Sequence, residues 1–165
     1  MKIRNVISLG IVLLSVMTIA GCDSAEAKDG DTVRAHYTGT LDDGTVFDSS
    51  LDREPLEFTL GAGMMISGFE EAIIGMQVGQ SKTVTIPADK AYGAHNADLV
   101  FLIDRDQLPQ DLNPEVGQRL QMLQTDGSTI LVTVIAVFET EIAIDANHPL
   151  AGQDLTFEIE LVEIK

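Results

Sequence analysis

The residue types that usually carry catalysis are present here without the spacings that catalysis needs. The three histidines, His36, His95 and His148, are dispersed, lacking the short separations that gather imidazoles around a metal ion, so solvated or structural roles are expected and no metal site is assigned. No G-x-S-x-G elbow, Walker lysine loop or H-E-x-x-H pair occurs, which leaves hydrolysis by an activated nucleophile poorly supported. Residues 104–115 place acids at Asp104, Asp106 and Glu115 as a calcium loop would, but Pro109 stands where such a loop needs glycine, and the match is read as chance. What remains is a stock of Phe, Tyr and Met near the Gly-rich turn Gly61-Ala62-Gly63. An apolar pocket is catalytic by itself when the transition state is less polar than the ground state, because removing water then favours the transition state. Such chemistry needs no cofactor, and none is expected.

A chain of 165 residues with 45% hydrophobic residues can bury one or two small cores. Its 26 acidic against 10 basic residues, a net charge of −16, would repel phosphate backbones and argue against nucleic acid as a partner. The one cysteine, Cys22, excludes an internal disulfide and any zinc site built on several thiolates. Cys22 follows an apolar run from Val6 to Ala20 that is preceded by Lys2 and Arg4, the order of a secretory signal. The run is short for a bilayer core of about 30 Å, which takes roughly 20 apolar helical residues. Ile19-Ala20-Gly21-Cys22 resembles the lipobox of bacterial lipoproteins, which implies a signal peptide over 1–21, lipidation of Cys22, a polar tether over 22–31 and attachment to a membrane of the bacterial cell envelope, on its periplasmic side. Ala25-Glu26-Ala27 supplies a competing A-x-A cleavage site, and with it a soluble periplasmic alternative.

The elements that must position any site read as α+β. From Thr32 to Leu41 the residues Val33, Ala35, Tyr37 and Leu41 share one parity, predicting a half-buried strand, and Asp42 to Thr45 supply a turn. Leu56 to Leu60 alternates again. Ser67-Gly68-Phe69-Glu70 has the pattern of a capping box, predicting a helix to about Gly75 with Ser67 as N-cap and with Phe69, Ile73 and Met76 on one face. A strand over Lys82 to Ile86 ends at Pro87. Leu99 to Ile103 is a compact apolar run, and two strands are expected to flank the turn at 125–128. The alternating tail Leu155, Phe157, Ile159, Leu161 must pair with something distant, and the first unit is the expected partner. The domain reading is therefore discontinuous: 32–93 with 148–165, interrupted by a small, mainly β insert over 94–147.

Four segments carry a resemblance to one family. Residues 33–50, with Tyr37, Gly39, Gly44, Phe47 and Asp48, resemble the opening of FKBP-type peptidyl-prolyl isomerases; 60–70, 86–93 and 155–161 are similar to their helix entry, next loop and last strand. The insert and its return over 147–153 resemble the SlyD-like branch, in which an insert-in-flap chaperone domain replaces the flap. The resemblance implies an antiparallel half-barrel sheet wrapped on a short helix. It implies a pocket walled by Phe47, Phe58, Met65, Ile66, Phe69 and Phe157, with Tyr37, Asp48 and Tyr92 as catalytic residues and the Tyr92 hydroxyl as donor to the peptide. Phe69 stands where single-domain members commonly carry Trp. Proline-containing unfolded polypeptides are the expected partners, held by Leu99, Phe101 and Ile103 of the insert, and the chain is expected to be a monomer. A catalytically weak, peptide-binding chaperone lipoprotein is the alternative. Nickel handling by a metal-rich tail is not expected, because the chain stops at Lys165, directly after the last strand.

Overall fold

The computed structural model of the chain describes residues 25–109, 111–124 and 126–165; Cys22 and the expected signal segment lie outside the described residues. Two antiparallel sheets make up most of its regular secondary structure. The first contains β1 (Thr32–Thr40), β2 (Val46–Ser49), β3 (Leu56–Thr59), β4 (Ser81–Ile86) and β9 (Leu155–Ile164), in the order β2-β1-β9-β4 with β3 also on β1. β3 pairs with residues 32–35 of β1 and β2 with residues 38–40, so the two short strands share one edge of the long one. The last strand returns between β1 and β4, with Ile159 opposite Tyr37 and Phe157 opposite both Gly39 and Val84. Its alternating pattern places Leu155, Phe157, Ile159 and Leu161 on the buried face and Glu158 and Glu160 in solvent.

Helix α1 (Ser67–Ile73) packs on that face through Phe69, Ala72 and Ile73. It approaches β4 closely enough that a Cβ on Gly68 would fall 2.3 Å from Ile86 Cγ2, so glycine is required there. Ser67 is not the N-cap, as the capping-box pattern predicts: Ile66 occupies that position, and no side chain caps the helix. Glu70 is buried and turned backwards, accepting from the Gly61 N–H at 2.9 Å and the Met65 N–H at 3.0 Å. It ties down the Gly-rich turn in place of the Ser67 backbone, while the Ser67 hydroxyl donates to the Lys90 carbonyl. At the other end Lys82 Nζ donates to the Ala72 carbonyl at 2.9 Å, satisfying an orphan acceptor of the last turn.

The second sheet is built from the chain between β4 and β9: β5 (Val100–Asp104), β6 (Arg119–Leu123), β7 (Thr129–Val137) and β8 (Glu141–Asp145), in the order β5-β8-β7-β6. It has its own small core of Val132, Val134, Ile142 and Ile144. β2 and β8 are not legible as strands, the first setting two apolar residues before two polar ones and the second burying three residues in a row.

Residues 26–31, expected as tether, are docked instead. Ala27 is 1% exposed within the first core and exchanges backbone bonds with Met76 and Gly75, Glu26 bridges Gln77, and Gly30 and Asp31 bond to Leu60. The apolar Ala27 side chain and the open backbone edge near Met76 make this pairing favourable. Among the described residues no helix is long and apolar enough to cross a membrane.

Candidate functional site

Five aromatic rings meet on the inner face of the first sheet, each placed by a different short run of sequence. Phe69 of α1 contacts Phe157 of β9 (centroids 5.2 Å, planes 73° apart), Tyr37 of β1 (5.7 Å, 81°) and Phe58 of β3 (5.8 Å). Phe47 of β2 stands edge-on to Phe157 at 5.6 Å and 87°. Three of these contacts set ring edges against ring faces, the arrangement favoured by the aromatic quadrupole, and Phe58 is tilted at 49° to Phe69. Gly39 allows the Phe47 contact: a Cβ there would lie 2.5 Å from the Phe47 ring, so the absence of a side chain on β1 is what lets Phe47 lie over the sheet.

The cluster has a floor and a rim. Phe58, Phe69 and Phe157 are buried; Tyr37, Phe47, Met65 and Ile66 are half-buried and pack against them. Ile66 contributes backbone as well: its carbonyl accepts from the Phe69 and Glu70 N–H groups, and its own N–H has no protein acceptor among the described residues. The Glu70 carboxylate holds the preceding turn through Gly61 and Met65, so the position of that N–H is supported from behind.

The polar edge is a three-residue chain. The Tyr37 hydroxyl donates to Asp48 Oδ2, and Asp48 Oδ1 accepts from the Arg53 guanidinium at 2.6 Å and from the Ser49 N–H at 2.9 Å. Arg53 is in turn anchored on the Ser49 carbonyl. The Tyr37 hydroxyl is pushed up to about 12, by burial first and then by the Asp48 carboxylate it serves. Asp48 is held below the usual carboxylate range, chiefly by the Tyr37 hydrogen bond, with Arg53 and the Ser49 N–H adding to it. At neutral pH the tyrosine is therefore protonated and the aspartate ionised, which suits orientation and not proton transfer. Arg53 escaped the sequence reading, because a single exposed arginine beyond a strand end carries no pattern.

Tyr92 stands apart from the five rings. It is 40% exposed and stacks face to face on His148, centroids 3.7 Å apart and planes within 4°, which joins the two chain crossings between the sheets. Of the residues expected to form a holding surface, Leu99 and Phe101 are exposed, but Ile103 is half-buried and packs on the second core. β5 presents Leu102 to solvent instead, at 61% exposure. Ile103 lines an apolar groove of about 670 Å³ with Leu108, Leu112, Leu120 and Met122. Among the described residues no group of three or more histidines, cysteines or acids is gathered as a metal centre would need.

Comparison with known proteins bears on this arrangement. The family profile described as FKBP-type peptidyl-prolyl cis-trans isomerase matches residues 23–162. The chain is 35% identical over 153 residues to the short-type peptidyl-prolyl cis-trans isomerase of Methanocaldococcus jannaschii, covering 84% of this chain and 94% of that protein. It is 32% identical over 142 residues to the FKBP-type 16 kDa peptidyl-prolyl cis-trans isomerase of Escherichia coli (86% and 95% covered). It is 39% identical over 133 residues to the SlyD isomerase of Treponema pallidum (81% and 75% covered).

Proposed function

This chain belongs to the FKBP-type peptidyl-prolyl cis-trans isomerase family, and from that premise we propose that it accelerates X-Pro rotation in exported, unfolded or folding polypeptides over the Tyr37–Phe47–Phe69–Phe157 cluster. The observation that carries the mechanism is the join between an apolar aromatic floor and an unpartnered Ile66 N–H at its rim. Rotation about X-Pro faces a barrier of about 18–20 kcal/mol because resonance gives the C–N bond double-bond character. The twisted imide has less charge separation than the planar one, so a surface that strips water from the carbonyl stabilises it relative to the ground state. The Ile66 N–H grips a peptide carbonyl next to the proline. Tyr37 and Asp48, locked by Arg53, keep the polar edge fixed and hold no proton in flight. A millionfold acceleration requires about 8 kcal/mol, within reach of desolvation, gripping and one or two directed hydrogen bonds. Tyr92, stacked on His148, leaves its hydroxyl without a protein partner among the described residues and remains the second donor.

The second sheet is the holder for substrate. Its apolar groove at Ile103, Leu108 and Met122, with Leu99, Phe101 and Leu102 exposed nearby, offers an unfolded chain more apolar surface than a folded protein leaves open without use. Tethering holder to cluster raises the local concentration of prolyl bonds.

One assay pair tests both parts. Wild type should accelerate isomerisation of a proline tetrapeptide, with a rate flat between about pH 6 and 9 because neither Tyr37 nor Asp48 titrates there. Asp48→Ala should lower kcat/KM roughly tenfold, the equivalent of about 1.4 kcal/mol. The double variant Phe101→Asp/Leu102→Asp should lose more on a proline-limited refolding protein than on the tetrapeptide. Equal losses on both substrates would remove the holder; peptide binding without acceleration would leave only a binding protein.

Residues 1–21 and Cys22 are the export and anchoring device in this reading, with the mature chain on the periplasmic side of a membrane. Two observations support it. The family match begins at residue 23, and Ala27 is core, so cleavage after Ala25-Glu26-Ala27 would remove a buried residue bonded to Gly75 and Met76, whereas cleavage before Cys22 keeps every described residue. The mass of the mature amino terminus should correspond to an acylated Cys22; a free amino terminus at Lys28 would return the soluble alternative.

A further inference from the structure

Beside the aromatic cluster a cleft of about 540 Å³ runs between the two sheets. Phe47 and Leu150 line it from the first sheet and its return, Leu131, Thr133 and Arg119 from the second. Its size is that of a site for a few residues of extended chain. It begins at the cluster, since Phe47 belongs to both and Leu150 packs against the same core.

The charge in this cleft is opposite to the charge of the molecule. None of the described acidic residues lines it. Of the four arginines among the described residues, Arg34 pairs with Glu54, Glu57 and Glu163, Arg53 with Asp48, and Arg105 donates to the Phe138 carbonyl. Arg119 alone makes neither an ion pair nor a hydrogen bond, and it is exposed at the start of β6. His148, the other basic group facing the cleft, is held below its ordinary value, by burial and then by the Arg119 charge, so at neutral pH it is uncharged. A lone guanidinium in an acid-free, half-apolar cleft is a fork of donors without an acceptor, and a carboxylate is the acceptor that fits it.

Resting on the isomerase reading, we propose that this cleft receives the segment flanking the substrate proline and that Arg119 selects an acidic side chain there. The specificity is then contributed by the second sheet to chemistry performed on the first. Acidic clients must otherwise approach a strongly acidic protein, and the local positive charge removes that repulsion where the chain enters. Leu131 and Leu150 cover the aliphatic part of the same segment.

The test is a set of proline peptides carrying Glu, Gln or Lys in turn at each of the three positions on either side of the X-Pro pair, assayed for isomerisation and for binding by fluorescence anisotropy at low salt. Wild type should favour Glu over Lys at one or two neighbouring positions by roughly three- to tenfold, mainly in KM, and the preference should shrink as salt is raised. Arg119→Lys should keep part of the preference, Arg119→Gln should remove it, and Arg119→Glu should reverse it. Absence of any charge preference in wild type, or its persistence in Arg119→Gln, overturns the proposal. The Gln peptides separate the two readings: if they are isomerised without charge selection at any position, the isomerase stands and the selector falls. If none is isomerised, the isomerase reading falls, and anisotropy still decides on Arg119.

Discussion

Replacing Phe157 by alanine is expected to destabilise the protein by roughly 3–5 kcal/mol, the range for removing a buried phenylalanine from a packed core. Phe157 is 6% exposed and touches three other rings, Tyr37, Phe47 and Phe69, so its loss opens a cavity that no neighbour fills without leaving its own strand or helix. It also sits on the central strand, opposite Gly39 on one side and Val84 on the other. The measurement is urea denaturation, with a lower midpoint and an unchanged slope. Because a variant this damaged reports on folding before it reports on chemistry, Phe157→Leu is the informative companion. It keeps most of the volume, at a cost below about 1.5 kcal/mol, but removes the edge-to-face contacts on which Phe47 is oriented. We expect kcat/KM on a tetrapeptide to fall roughly tenfold, or about 1.4 kcal/mol in transition-state stabilisation, in a protein that remains folded. Wild-type activity in Phe157→Leu would confine this residue to the core and remove it from the substrate surface.

The second large effect is expected at Glu70. Its two carboxylate oxygens accept from the Gly61 and Met65 N–H groups, it is 7% exposed, and it lies one turn from the Ile66 N–H proposed above to grip the peptide. Glu70→Ala leaves two backbone donors without a partner in a partly buried turn, at a cost of about 2–4 kcal/mol. Glu70→Gln should lose about half as much, because the amide oxygen accepts one N–H while its NH₂ faces the other donor. Both should raise KM for the tetrapeptide more than they lower kcat, since the floor of the cluster is untouched while the gripping loop loosens. The comparison is decisive in one direction: a Glu70→Gln variant as stable as wild type would mean that water already serves these donors.

Most of the first sheet was legible from the pattern of single strands. β1, β3, β4 and β9 each alternate apolar and polar residues long enough to show which face is buried, and the unpaired alternation of 155–161 required a distant partner. The same logic failed at β2, where two apolar residues precede two polar ones and no alternation appears, although Phe47 and Asp48 on it are central to the candidate site. It failed again at 26–31, where a run of small and charged residues reads as tether while one alanine and its backbone find a place in the core. At 67–70 the local pattern was real but its use was different: the glutamate that a capping box would turn on the Ser67 N–H reaches two residues further back. Local sequence offers a list of donors within reach, and packing chooses among them.

Sequence alone thus determined the residue types of an acidic protein without the motif spacings of a nucleophilic hydrolase, the strand alternations that must bury one face, and the family motif that joins Tyr37, Phe47, Asp48 and Phe157 across more than a hundred residues. Tertiary structure decided what depends on how separate segments pack: that Arg53 locks Asp48, that Gly39 yields its side-chain space to Phe47, that Ile103 turns inward while Leu102 turns out, and that Arg119 faces a cleft lined by none of the described acidic residues. Periodicity records which side of an element is apolar because the chain itself carries that information. It cannot record which charges meet, since a hydrogen bond or an ion pair depends on ångström-scale distances that arise only when two elements pack.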